Sequence, residues 1–471
     1  GDESLVDEQG MVGGCETGEH RIIAKLILQN IGKGTNAVDA TSHVCDIRNP
    51  RFIDYAMRVR SYDVEANFYG RGFASGKPCP ARAASRAGLT IPTLLAIETG
   101  GAHADGLAAI PKTSTATGTN NGGQGSKSPS NKTFAGVCFI MRDLQTTHPV
   151  HPDVLSIPQA KCALAWLAKF HARFWEAPKL TNEWPGQLLW EEGTFWAVQY
   201  RLKQQYFPNT YANDFESAWN RTLRWMAAQR KLPEAVHLCS RESIRLFGLR
   251  LKRAIPVIFE ELHPAQSASS IYNNLSPVVY NAAAAAAAAK GKRKDKCDST
   301  HDFRRPRSHV TLVHGDFKAA NIFFMPGVDG DDVCNDSDSC AVCDLQFTGP
   351  GLGVCDVAYL LFPDPRVSYL DVEHELLCWY YDKLQSQWIA MDKGCDLGET
   401  YPRALMEWHY RLAQMEFLGY MFTKGWVASS ANDVELLQRL DELLCKLDGG
   451  ELLGSSNEYA QALATALVSF R

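Results

Sequence analysis

Between positions 311 and 346 the chain gathers side chains of the types that do chemistry. The stretch Thr311-Leu-Val-His-Gly-Asp-Phe-Lys-Ala-Ala-Asn-Ile-Phe-Phe324 sets an acid, Asp316, and a carboxamide, Asn321, in a turn between two short apolar runs. A second unit, Ala341-Val-Cys-Asp-Leu-Gln346, is an apolar run that delivers Asp344. Buried strands on either side fix such a turn, so both side chains of the first unit face one site. Three oxygen-bearing side chains at strand ends are what Mg²⁺-assisted phosphoryl transfer requires: one to orient the nucleophile and two to hold the metal.

The same residues carry a resemblance. His314-Gly-Asp-x4-Asn321 followed by Cys343-Asp-Leu-Gln346 resembles the catalytic and metal-binding loops of the aminoglycoside phosphotransferase and choline kinase superfamily, most strongly its ecdysteroid-kinase-like (CHK) group. Gly351-Leu-Gly-Val-Cys-Asp356-Val-Ala-Tyr-Leu-Leu resembles the segment that closes the active site in those kinases. The resemblance implies an α+β, two-lobed protein-kinase-like fold with a small antiparallel-sheet N-lobe and a large, mainly helical C-lobe. On this reading the N-lobe spans 1–141, a hinge 142–147 and the C-lobe 148–471, with the catalytic loop at 311–324 and the metal loop at 341–349. It also implies ATP and Mg²⁺. Asp316 would orient or deprotonate the acceptor, Asn321 and Asp344 would hold the metal, and His314 would support the loop. Lys318 matches the place of a lysine near the γ-phosphate, and Asp356 would brace the catalytic loop from beneath.

The elements that must position these loops are legible upstream. His20 to Leu28 reads as a strand, with Lys25 between apolar neighbours on both faces, and a buried ammonium needs a partner. Ile22-Ile-Ala-Lys25 resembles the kinase strand whose lysine holds the α- and β-phosphates. From Arg51 to Gly70, Tyr55, Val59, Tyr62, Ala66 and Tyr69 recur at steps of four and three, which predicts an amphipathic helix. Glu65 borders that stripe and is the expected partner of Lys25, with Asp63 as competitor. Residues 1–20 are glycine-rich, and Gly13 and Gly14 admit two readings: a hairpin covering ATP phosphates, or a plain loop. Gly32-Lys-Gly-Thr35 lacks the spacing of a P-loop.

Ile91 to Ile97 and Phe134 to Met141 read as further strands, and Arg142-Asp-Leu144 follows. By resemblance, backbone groups around Met141 and Asp143 bind adenine. Pro158 to Glu176 is a helix with Ala163, Trp166, Leu167, Phe170 and Phe174 on one face; His171 within it reads as a packed, hydrogen-bonded residue. Residues 177–275 are helical in pattern, as are Tyr369–Leu384, Leu405–Phe422 and Val434–Leu447. Three insertions interrupt the pattern, at about 100–131, 276–300 and 326–339. The second holds an alanine run, 282–289, then Lys290-Gly-Lys-Arg-Lys294. The third has five aspartates but lacks EF-hand spacing, and Cys334, Cys340 and Cys343 lack the second pair a zinc site needs.

Composition narrows the partners. A net charge of −5 gives no reason to expect nucleic acid. Fourteen cysteines without a repeating spacing argue against a disulfide framework and for a reducing compartment. No apolar run reaches membrane-spanning length. The expected address is intracellular, in the cytoplasm or in an organelle after removal of a leader. Only 345–355 separates Asp344 from Asp356, which leaves little room for a peptide platform, and no Ala-Pro-Glu follows. A small alcohol or amine is the expected acceptor. The rival expectation is a weak or inactive kinase-fold subunit that scaffolds a larger assembly through its insertions.

Overall fold

The computed structural model describes residues 11–12, 22–28, 51–70, 79–100, 136–175, 188–206, 208–263, 309–328, 337–362, 368–392 and 396–468. Gly13, Gly14, the alanine run and most of the three insertions lie outside the described residues. The fold is mostly helical with small antiparallel sheets.

Strands β1 (Met11–Val12), β2 (Ile22–Leu28), β3 (Leu94–Gly100) and β4 (Gly136–Arg142) form an antiparallel sheet in the order β1-β2-β4-β3. The β2–β4 pairing runs without a break from Ile22↔Arg142 to Leu28↔Gly136 and sets Lys25 opposite Phe139. β3 begins later than the apolar pattern at Ile91 predicts, because Pro92 has no N–H for the ladder. Its register also shifts between Leu94 and Ala96.

Helix α1 (Arg51–Phe68) lies against this sheet. Ala66 joins Phe139 and Met141 in a small apolar cluster edged by Tyr62, Tyr69, Leu94 and Ile97. Its other sides bury Met57, Val64 and Phe68 in the main core. Asn67 Nδ2 and Arg60 Nη2 donate to the carbonyls of Leu188 and Leu189 at 2.8 and 3.1 Å. The helix is therefore held on both sides, and residues 61 to 68 are buried almost continuously. An outward charged face is absent there.

After the short helix α2 (Pro80–Arg86), α3 (Ile157–Phe174) runs through the centre. Ser156 and Gln159 close its N-terminus with a reciprocal capping box, and Pro158 sits in its first turn. The stripe predicted for α3 understates its burial: Cys162 and Leu164 are also fully enclosed. Further helices follow: α4 (Phe195–Tyr206), α5 (Pro208–Ala228), α6 (Pro233–Ser240) and α7 (Glu242–Leu262).

Four short strands then frame the chemistry: β5 (Val310–Val313), β6 (Ile322–Phe324), β7 (Cys340–Val342) and β8 (Gly349–Leu352). The chain ends in α8 (Val354–Leu360), α9 (Glu373–Ala390), α10 (Leu397–Thr400), α11 (Arg403–Thr423), α12 (Ala431–Asp448) and α13 (Ser456–Val468). α9 packs along α3, and α11 packs against α5, α7 and α8. α9 starts after the predicted Tyr369, because residues 370–372 form a turn. The nine described cysteines are free thiols, and no helix among the described residues is long and apolar enough to cross a membrane.

Candidate active site

Strand pairing brings the two chemistry-bearing loops to one end. β5 pairs antiparallel with β8 and β6 with β7, so Val313 faces Gly349 and Ile322 faces Val342. Residues 314–321 leave from Val313 and return at Ile322, while 343–348 leave from Val342 and return at Gly349. Each loop thus departs from one small sheet and returns to the other, side by side with its neighbour. β8 was not legible as a strand, since Gly349-Pro-Gly-Leu352 has little β propensity; its partner β5 imposes the conformation.

Asp356, in the first turn of α8, holds the first loop from below. Its Oδ2 accepts the backbone N–H of His314 at 2.6 Å and its Oδ1 that of Gly315 at 2.9 Å. His171 Nε2 donates to the same carboxylate at 3.2 Å, and Tyr380 supplies its hydroxyl to His171 Nδ1 at 2.8 Å. All five residues are buried, and the donors satisfy oxygens that burial would otherwise leave bare. His314 ties the loops together: Nε2 donates to the Cys343 carbonyl at 2.9 Å, and Nδ1 accepts the Asp316 N–H at 3.2 Å. Gly315 has φ +87, and a Cβ there would lie 2.2 Å from the Phe347 carbonyl oxygen, so only glycine fits.

Asp316 is buried, with Lys318 Nζ donating to its Oδ2 at 3.0 Å. Asn321 Nδ2 donates to the Asp316 carbonyl at 2.8 Å and to its Oδ2 at 3.3 Å. Burial pushes the Asp316 carboxyl above its ordinary range; Lys318 opposes this and Asp344 adds to it. Tyr359, not singled out from sequence, turns its hydroxyl toward the Asp316 carboxylate. Its hydroxyl is held well above the ordinary phenol value by burial and by the Asp316 charge, so it stays a donor. Tyr359 sits three residues beyond Asp356 on α8, one helical turn on, and that spacing is the signal that could have found it.

Lys25 links the sheet to the second loop. Its Nζ lies 2.9 Å from Glu65 Oε2 and 2.8 Å from Asp344 Oδ1. Burial alone would lower the Lys25 pKa, but the Glu65 and Asp344 charges outweigh it and hold the ammonium above its ordinary value. Glu65 is pushed up by burial, and Lys25 pulls against that. Asp344 adopts φ +66, a left-handed backbone that costs a non-glycine residue of order 1–3 kcal/mol. Both of its carboxylate oxygens are engaged: Gln346 Nε2 donates to Oδ2 at 3.1 Å, and Gln346 Oε1 accepts from Ser61 Oγ on α1 at 3.3 Å.

A segment that sequence reasoning passed over laces these parts together. Trp190 Nε1 donates to the Gln346 carbonyl at 2.8 Å, Thr194 N–H to Phe347 O at 3.3 Å, and Phe195 N–H to Gly315 O at 3.1 Å. Gly193 allows the close approach, since a Cβ there would lie 2.1 Å from Val313 Cγ2. Around Tyr359 stand Phe195, Phe417 and Trp196, with ring centroids 5.0–5.4 Å away.

Met141 is buried in the sheet between Ile23 and Leu94. The Asp143 side chain accepts the Gln145 N–H at 2.9 Å and caps the turn 144–146. The Asp143 carbonyl accepts from the Thr146 hydroxyl at 2.7 Å. Both groups are engaged in the turn that leaves the sheet.

No family model matches the chain, and no curated protein matches it. Among solved structures the chain is similar to "Structure of the microcompartment-associated aminopropanol kinase", at 12% identity over 93% of this chain and 90% of that chain, with a TM-score of 0.34. A likeness at that level fixes neither fold nor chemistry.

The donor set fits Mg²⁺. Asp344 and Asn321 offer oxygen only, and Asn321 spends its amide nitrogen on Asp316, which leaves its carbonyl oxygen to accept a cation. Asp344 keeps 18% of its side chain exposed, so solvent and solutes reach it.

Proposed function

We propose that this chain is an ATP- and Mg²⁺-dependent phosphotransferase acting on a hydroxyl or amine of a small molecule, on a two-lobed protein-kinase-like fold. The observation that carries the reading is Lys25 bound at once to Glu65 and Asp344, beside a loop that presents Asp316 and Asn321. A cation between two carboxylates on different elements, next to a buried acid with a raised pKa, is an arrangement suited to anionic phosphate and to proton abstraction.

In this reading Lys25 binds the nucleotide phosphates, and Glu65 keeps its ammonium in place. Asn321 and Asp344 hold Mg²⁺, which when bound offsets the charge of the transferring phosphoryl group. Asp316 orients the acceptor and takes its proton; burial raises its basicity, and the Lys318 ammonium beside it stabilises its charged form. Tyr359 beside Asp316 adds a neutral hydroxyl to the site. The Asp356 brace keeps the backbone of this loop rigid, so orientation costs no reorganisation during the reaction. The glycine-rich residues 13 and 14 and the backbone near Met141 and Asp143 belong to the proposal as the phosphate cover and the adenine contact.

Mg²⁺-dependent ATP binding by calorimetry on the whole chain, and on Asp344→Ala, tests this. Binding by the wild type that disappears in the variant supports the reading. A folded wild type that binds no nucleotide overturns it in favour of a scaffolding role.

A further inference from the structure

One polar cluster takes no part in the proposed phosphotransfer. His263, at the C-terminal cap of α7, Cys355, in the first turn of α8, and Glu416, in the middle of α11, bring one ligand atom each within 4.8 Å of one another. They are 2%, 0% and 3% exposed. His263 Nε2 lies 3.0 Å from Glu416 Oε2, which also accepts the Trp196 indole N–H at 3.1 Å. Among the described residues, Glu416 Oε1 and His263 Nδ1 have no hydrogen-bond partner. Leaving such atoms bare in a protein interior is costly, more so for a charged group. Native interiors leave few atoms in that state without a bound species.

The chemistry of the three side chains says which species fits. One imidazole, one thiol and one carboxylate form a mixed N, S and O set. Thiolate and imidazole suit Zn²⁺ and related transition cations, whereas Mg²⁺ and Ca²⁺ take oxygen. The spacing agrees: two ligands about 2.0–2.1 Å from a tetrahedral zinc stand a little over 3 Å apart, close to the His263–Glu416 separation.

We propose that His263, Cys355 and Glu416 form a buried site for a divalent transition cation, Zn²⁺ first among them. The cation takes His263 Nε2 while the proton there moves to Nδ1, takes Cys355 as thiolate, and takes Glu416 through the bare Oε1. The Cys355 proton leaves to solvent on loading, so uptake is tighter at higher pH. Trp196 keeps its bond to Oε2 and orients the carboxylate. The site staples the ends of α7 and α8 to α11. Because Asp356 follows Cys355 directly, the staple fixes the residue that braces His314 and Gly315.

The test is metal content of the untagged full chain by mass spectrometry, followed by removal with a chelator and reloading with Co²⁺. About one zinc per chain is expected, with a thiolate-to-cobalt absorption after reloading and a lower melting temperature after chelation. Cys355→Ala should lose the thiolate band, and Cys378→Ser should keep it. The second variant matters because His374, Cys378 and Glu407 form another, exposed trio. If the folded wild type holds no metal and shows no cobalt band, a buried water satisfies these atoms and the proposal is overturned. A band lost with Cys378 and kept with Cys355→Ala overturns it too. These readouts do not involve ATP, so they stand or fall apart from the phosphotransfer reading.

Discussion

Lys25 Nζ and Asp344 Oδ1 lie 2.8 Å apart although 319 positions separate them in the chain. The contact joins the N-terminal sheet to the loop between β7 and β8, and both side chains are about four-fifths enclosed. A lysine so placed loses its proton unless anions surround it. Glu65 and Asp344 are those anions, and they keep Lys25 charged and fixed where a phosphate could displace one of them. The same geometry makes the trio interdependent, so substitutions there must be read in pairs.

Lys25→Met should abolish Mg²⁺-dependent phosphate transfer, a loss of at least about a hundredfold. It should also destabilise the chain, because Glu65 is then buried without its cation; breaking a buried pair costs about 3–5 kcal/mol. With 21% of Lys25 exposed, the low end of that range applies. Adding Glu65→Gln should restore most of the urea midpoint and none of the transfer. A double variant that recovers activity would show that Lys25 serves stability alone.

Gln346 connects Asp344 to Ser61 on α1. Gln346→Ala removes both hydrogen bonds at a stability cost of about 1 kcal/mol. Its larger effect should fall on the metal, since a partner that orients a ligand typically contributes tenfold or more in affinity. The Mg²⁺ concentration that half-saturates ATP binding should therefore rise roughly tenfold. An unchanged Mg²⁺ requirement would mean that Asp344 holds its left-handed backbone without Gln346.

The loops were legible because their chemistry is local: Asp316, Lys318 and Asn321 lie within one turn, between apolar runs that the structure renders as β5 and β6. Lys25 and Glu65 were legible by pattern, since a lysine amid apolar strand residues demands an anion. What failed was everything imposed from a distance. β8 contains Gly-Pro-Gly and exists because β5 pairs with it. The lacing by Trp190, Gly193 and Thr194 depends on backbone contacts that leave no side-chain pattern. His263, Cys355 and Glu416 come from three helices far apart in sequence, so no spacing announced them. The placing of the lobe boundary at the hinge 142–147 remains an expectation drawn from resemblance.

His148 gives a pH test away from every proposed metal ligand. It is buried; Thr147 Oγ1 lies 2.8 Å from its Nδ1, and its Nε2 donates to the Asp338 carbonyl at 3.4 Å. Burial lowers its pKa below the ordinary 6.5, and the Asp338 carbonyl only partly opposes this. Below 6.5 the unfolded chain therefore takes up a proton that the folded chain resists, so unfolding becomes easier as pH falls. His148 thus contributes stability that is complete above 6.5 and is lost as pH falls through its lowered folded value. Urea unfolding at pH 8 and pH 5, on wild type and His148→Gln, isolates this group, because carboxylates elsewhere titrate alike in both chains. The wild type should lose more stability between the two conditions than the variant. The consequence reaches the site, since Asp338 lies in the turn 337–339 that leads into β7, and β7 delivers Asp344. Equal losses in both chains would show that His148 takes up its proton in the folded protein as easily as in the unfolded one.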